Sequence, residues 1–137
     1  MENNTKVEHK EISLEDNRIG REIVDVALKV HRTFGPGLLE KVYEFCMEFE
    51  LKKRGFKVER QMCIPITYES EIFTEALKLD MIVNNRVIIE LKSTEKHNKI
   101  WEAQILSYLK LTNLNLGYLI NFNVPLIKLG IQRFINS

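Results

Sequence analysis

Apolar positions in the first part of the chain repeat at helical spacing. Ile19, Ile23, Val26, Ala27 and Val30 recur at intervals of three and four, which predicts an amphipathic helix ending near Phe34. Ser13 followed by Asp16 resembles a capping box at its start, with Asp where Glu is usual. Gly35-Pro36-Gly37 stops this helix, and LLEKVYEFCMEFELKKR begins another at Leu38 that ends at Gly55. Spacing assigns Leu39, Val42, Tyr43, Cys46 and Phe49 to the buried side of the second helix. From Phe56 the period shortens to two. FKVERQMCIPITY is extended, Glu69-Ser70-Glu71 turns, IFTEALKLDMIV returns toward Asn84-Asn85, and RVIIELK forms the next strand. A third helix over about Lys99 to Thr112 leads to a buried strand, LGYLINF (116–122). The tail PLIKLGIQRFINS supplies an edge strand, with Pro125 suited to its start. The order α, α, β, β, β, α, β and a final β is that of an α/β (α+β) sheet with helices packed on it. By composition residues 1–12 form a polar arm, followed by one domain over 13–137.

Two charges break the apolar run VIIELK. Side chains alternate along a strand, so Glu90 and Lys92 share a face with Ile88. A solvated face with a weak Glu–Lys pair explains this, and so does an active site. The turn before the strand bears on the choice. A two-residue loop, Asn84-Asn85, would pair Val83 with Arg86 and send Asp80 and Glu90 to opposite faces. A three-residue loop, Asn84-Asn85-Arg86, or a bulge would set Asp80 against Glu90, and asparagine tolerates the left-handed backbone such loops need. Two carboxylates directly opposed repel unless something lies between them. A divalent cation such as Mg²⁺ takes hard oxygen ligands of this kind, and the Lys92 ammonium would point to the same place. On the third helix Gln104 and Tyr108 are four apart and share a side with Trp101. A core tyrosine with its hydroxyl at the rim explains Tyr108 equally well on spacing alone.

Composition narrows the setting. The 137 residues are 45% apolar, enough for one real core, and the formal net charge is only +1. No global field draws the chain to nucleic acid, so an anionic partner needs a local patch. Lys52-Lys53-Arg54 with Lys57 and Arg60 is one candidate, and Lys92 with Lys96, His97 and Lys99 is another; runs like these are more often solvated faces. Cys46 and Cys63 lack metal-ligand spacing and read as free, buried thiols in a reducing compartment. No apolar run is long enough for a membrane span and no secretory leader is evident, so a cytoplasmic protein is expected. His31 reads as a helix-packing residue.

Together, Asp80, Glu90-Leu91-Lys92 and Gln104-x-x-x-Tyr108 resemble the PD-(D/E)XK nuclease superfamily, in its RecB-like branch with the Q-x-x-x-Y element. The longer stretches VHRTFGPGLLEKVYE, AQILSYLKLTNLNLGYLINFNVP and GIQR are similar to the bacterial GxxExxY family within it, whose motif is present as Gly37-Leu-Leu-Glu40-Lys-Val-Tyr43. Leu79 stands where the superfamily's proline is usually written. The resemblance implies a restriction-endonuclease-like α-β-β-β-α-β core and a Mg²⁺- or Mn²⁺-dependent nuclease acting on DNA. It implies that Asp80, Glu90, the Leu91 carbonyl and Glu40 hold the metal, Glu40 directly or through water. Lys92 would position or activate the attacking water, and Gln104 and Tyr108 would contact the nucleic-acid strand. A homodimer or a protein partner is expected by analogy with small nucleases that cut duplexes. The competing expectation is a catalytically silent module that binds nucleic acid or protein through Lys52, Lys53, Arg54, Lys96 or Lys99.

Overall fold

Ser13 starts the first helix, α1 (Leu14–Phe34), by accepting a hydrogen bond from the Asp16 N–H at 3.0 Å. The computed structural model describes residues 11–137, so the polar arm expected over residues 1–12 falls almost wholly outside the described residues. Asp16 does not reach back as a capping box would. It is 2% exposed and accepts from Arg86 Nε at 2.6 Å, tying the start of α1 to a hairpin loop. Gly35 and Gly37 then take positive φ angles of 65° and 106°, which turn the chain before α2 (Glu40–Lys53).

The buried side of α2 differs from the one expected. Tyr43, Glu44, Met47 and Leu51 face inward, Val42 and Cys46 are half-buried, and Leu39 and Phe49 are 66% and 57% exposed. The apolar residues of this helix are scattered round it among charged ones and form no single stripe, so spacing could not choose between adjacent faces.

The strands are β1 (Val58–Tyr68), β2 (Glu71–Val83), β3 (Val87–Lys92), β4 (Leu116–Asn121) and β5 (Ile131–Ile135), with α3 (Ile100–Thr112) between β3 and β4. They form one five-stranded sheet in the order β1-β2-β3-β4-β5. Only β3 and β4 are parallel, which is why a helix joins them while the other neighbours are joined by turns or a short excursion. The fold is thus a mixed sheet with three helices, α+β in class and restriction-endonuclease-like. The helices α1 and α2 cover one face through Ile19, Ile23, Val26, Met47, Met81, Ile89, Leu91 and Ile120. A smaller cluster, Leu79, Ile88 and Leu109 with Ile64 and Tyr108 at its margin, packs α3 on the other. Beyond Ile64 and Leu77 the β1–β2 hairpin projects from the core, with Tyr68, Ile72 and Phe73 exposed at its end.

Three smaller expectations change. Cys63 is exposed on the outward side of β1, and Cys46 is half-buried; both are free. His31 does not sit between helices but bonds the Val124 carbonyl at 2.8 Å, holding α1 to the loop after β4. Pro125 precedes a short 3₁₀ turn rather than β5 itself. Gly130 introduces that strand, where an added Cβ would lie 2.1 Å from the Asn121 carbonyl oxygen.

Candidate active site

The hairpin between β2 and β3 has a three-residue loop. Val83 pairs with Val87, Ile82 with Ile88 and Met81 with Ile89, the register that carries Asp80 against Glu90. Asn84 and Asn85 both adopt left-handed backbone, with φ of 51° and 55°. The Asn84 side chain also accepts from the Lys57 N–H at 2.8 Å, and its own N–H donates to the Lys57 carbonyl. The loop is thereby fixed to β1 as well as to its own strands.

At Asp80 and Glu90 the side chains replace the backbone ladder. Glu90 Oε2 accepts from the Asp80 N–H at 2.9 Å, and Asp80 Oδ2 accepts from the Leu91 N–H at 2.9 Å. Each carboxylate thus crosses to the other strand and is fixed there by a backbone donor. Glu90 is only 7% exposed, and burial together with the Asp80 charge pushes its carboxyl up to about 8. Asp80 is raised as well, first by burial, against the opposing pull of the Leu91 N–H, Lys92 and Gln61. Two adjacent carboxyls that burial pushes toward the protonated form are an unsatisfied demand for positive charge.

Other groups converge from the helices. Glu40, in the first turn of α2, is solvent-exposed, yet its carboxyl is raised by partial desolvation and by the Asp80 charge. Its position is set by Tyr43, whose hydroxyl donates to the Gly35 carbonyl at 2.6 Å and accepts from the Leu38 N–H at 3.1 Å. The Tyr43 ring stacks on Phe122 at 4.4 Å, and Ser93 Oγ hooks the Leu38 carbonyl from the end of β3. The motif tyrosine is therefore packed, as expected, and also clamps the loop that precedes Glu40. From α3, Trp101 lies under Lys92 Nζ, 5.1 Å from ring centroid to nitrogen. The Tyr108 hydroxyl is raised by burial and then by the charges of Glu90 and Asp80. Gln104 is exposed one turn earlier, and no contact joins it to the carboxylates among the described residues.

Two residues absent from the sequence reading belong to this neighbourhood. Glu44 is one helical turn beyond Glu40 and only 7% exposed; its carboxylate takes Gln61 Nε2 at 2.8 Å and Arg60 at 3.2 Å. The Glu40–Glu44 spacing of four was the available signal. Gln61 carried none.

The basic runs separate. Arg54 pairs with Glu22 and Asp25 of α1, Arg60 with Glu44 and Glu48, Lys52 with Glu48, and Lys57 with Glu59. That patch is largely neutralised in place. The other run, Lys92, Lys96, His97 and Lys99, leads from the carboxylates to the start of α3, with His97 paired to Glu102.

A family model described as the PD-(D/E)XK nuclease superfamily matches residues 17–134. The chain belongs to that superfamily. PD-(D/E)XK proteins are mostly nucleases. No curated protein and no solved structure matches the chain. No helix among the described residues is long and apolar enough to cross a membrane.

Among the described residues no three or more His, Cys, Asp or Glu side chains converge as a preformed metal cage. The donor chemistry nonetheless fits a small hard cation. Mg²⁺ is commonly held by one or two carboxylates, with waters and substrate phosphate oxygens completing its shell. Asp80 and Glu90 supply that minimum.

Proposed function

We propose that this PD-(D/E)XK protein is a Mg²⁺- or Mn²⁺-dependent nuclease that hydrolyses phosphodiester bonds of DNA. The observation that carries the reading is the exchange between Asp80 and Glu90. Each accepts a backbone N–H from the other's strand; burial raises both carboxyls, and the Asp80 charge raises Glu90 further. A purely structural ion pair would have matched one carboxylate with a cation instead of a second carboxylate.

In this reading Asp80 and Glu90 hold the cation, the Leu91 carbonyl adds an uncharged oxygen, and Glu40 contributes directly or through water. A divalent cation there supplies positive charge against the negative charge that develops on the phosphate oxygens. Lys92 orients the attacking water and stabilises the same charge, and the Trp101 ring limits where its ammonium can go. Gln104 and Tyr108, on the substrate side of α3, contact the strand being cut. The basic residues Lys96 and Lys99 favour a phosphate backbone along that path. The motif Gly37-x-x-Glu40-x-x-Tyr43 and the Q-x-x-x-Y element further assign the chain to the GxxExxY family in the RecB-like branch. It is assigned to the cytoplasm, as one nuclease domain over residues 13–137 acting alone, as a homodimer, or with a protein partner.

The test is cleavage of linear, circular and single-stranded DNA with Mg²⁺ or Mn²⁺ by the wild type, Lys92→Ala and Asp80→Asn. Divalent-dependent cleavage should fall at least 100-fold in both variants. Absent cleavage, or cleavage that survives both substitutions, defeats the reading.

A further inference from the structure

Lys92 stands two residues beyond Glu90 in β3, close enough for its charge to act on Asp80, Glu90 and Glu40 alike. Among the described residues it nonetheless forms an ion pair with none of them. Its nitrogen lies over the Trp101 ring instead, 5.1 Å from the centroid.

Only the side chain of Lys92 is free to choose, because its backbone is fixed. The Lys92 carbonyl accepts from the Phe122 N–H at 2.9 Å. Just beyond it the Asn121 side chain grips Thr94, accepting from its N–H at 3.2 Å and donating to its carbonyl at 3.0 Å. What remains is the flexible four-carbon stem of the lysine. The buried carboxylates attract the ammonium by charge, and an indole face is the aromatic surface that competes best for it.

The ring is itself braced. His97 meets it edge-on, with centroids 5.5 Å apart and planes at 87°, and bonds Glu102, the residue after Trp101 in α3. One turn further on, fully buried Ile105 lies against Gly117, which seats this part of the helix on β4. The indole is therefore held by the loop before α3 on one side and by the sheet through α3 on the other. An ammonium that fell onto Asp80 and Glu90 would occupy the carboxylates that a divalent cation needs.

We infer that Trp101 is a positioning residue for Lys92: its ring holds the ammonium off the Asp80–Glu90 pair and so leaves those carboxylates open to the cation. This role rests on the nuclease reading of the site. Groups that act on a metal site through its ligands typically change affinity about 10- to 100-fold when removed. Trp101→Leu keeps apolar bulk without an aromatic face, Trp101→Phe keeps a smaller face, and Lys92→Met keeps the stem without the charge.

The experiment is calorimetric titration of Mn²⁺ into the metal-free wild type, Trp101→Leu, Trp101→Phe, Lys92→Met, Asp80→Asn and the double variants of Lys92→Met with each Trp101 change. Trp101→Leu should bind Mn²⁺ about tenfold more weakly than the wild type and Trp101→Phe less so, whereas neither change should matter once Lys92 is Met. A loss of the same size with and without the lysine assigns Trp101 to packing and overturns the proposal. Wild-type affinity in both Trp101 variants, alongside a clear loss in Asp80→Asn, overturns it too and leaves the metal site standing. A wild type that binds no Mn²⁺, or binds it no better than Asp80→Asn, removes the metal site and this role with it. A second measurement does not depend on the Trp101 variants folding. Trp101 is the chain's single tryptophan, so its fluorescence should differ between the metal-free wild type and Lys92→Met, and identical spectra overturn the contact.

Discussion

Replacing Glu90 by Gln should stabilise the metal-free protein, and by an amount that depends on pH. Glu90 is 7% exposed and its carboxyl sits at about 8, against 4.5 for an ordinary glutamate. A carboxyl raised on folding binds more protons in the native state than in the unfolded chain. Stability is therefore fullest below about pH 4.5 and declines as the pH climbs through the native value near 8. At pH 7 the native carboxyl is still largely protonated, and taking up on folding the proton that the unfolded chain has released costs on the order of 3 kcal/mol. Glutamine removes that cost while its carbonyl oxygen can still accept the Asp80 N–H. For a chain of 137 residues the difference corresponds to about 10 °C in melting temperature. The assay is paired thermal melts of wild type and Glu90→Gln from pH 4.5 to 8 with a chelator present. The gap should be smallest at pH 4.5 and widen steadily toward pH 8. Mg²⁺ should narrow it from the wild-type side, since a ligand at 100 times its Kd adds about 2.7 kcal/mol. Parallel pH profiles, or a variant less stable than the wild type at pH 7, would refute the reasoning.

Other outcomes follow from the supports of the site. Tyr43→Phe keeps the stack on Phe122 but removes both hydroxyl bonds, so it should cost about 1–3 kcal/mol in denaturant melts and lower cleavage by releasing the loop before Glu40. Asn84→Ala loses the Lys57 N–H and strains a left-handed position, and should destabilise by about 2 kcal/mol, whereas Asn85→Gly should be neutral or stabilising. Gly130→Ala puts a methyl group against the Asn121 carbonyl, and its melting temperature should fall sharply.

Much of this arrangement was legible in the sequence because it depends on parity and local periodicity. The facing of Asp80 and Glu90 required only an odd loop, and the chain supplies one in Asn84-Asn85-Arg86. The order of elements along the chain, including the third helix, followed from period changes. The unread parts depend on contacts between segments far apart in the chain. The Lys52-Lys53-Arg54 run looked like a binding patch because Glu22 and Asp25, which neutralise Arg54, arrive from another helix. The buried stripe of α2 was misplaced because Phe45 and Phe49 offer as much apolar surface as Met47 and Leu51, and only the sheet decides between them. Gln61 was silent because glutamine has no preference for the backbone it adopts.

The β2–β3 hairpin also orders events in time. Asp80 and Glu90 are ten residues apart, and a hairpin closes in about 1–10 μs, without help from the rest of the chain. The carboxylates therefore meet while still hydrated, when their repulsion is weak. The penalty is felt only when α2 and α3 close over the strand and expel water. A charge conflict that arises so late belongs to the last step of folding, and relieving it acts mainly on the rate of unfolding. The site's electrostatic tension thus governs how long the metal-free native state survives more than how quickly it is reached.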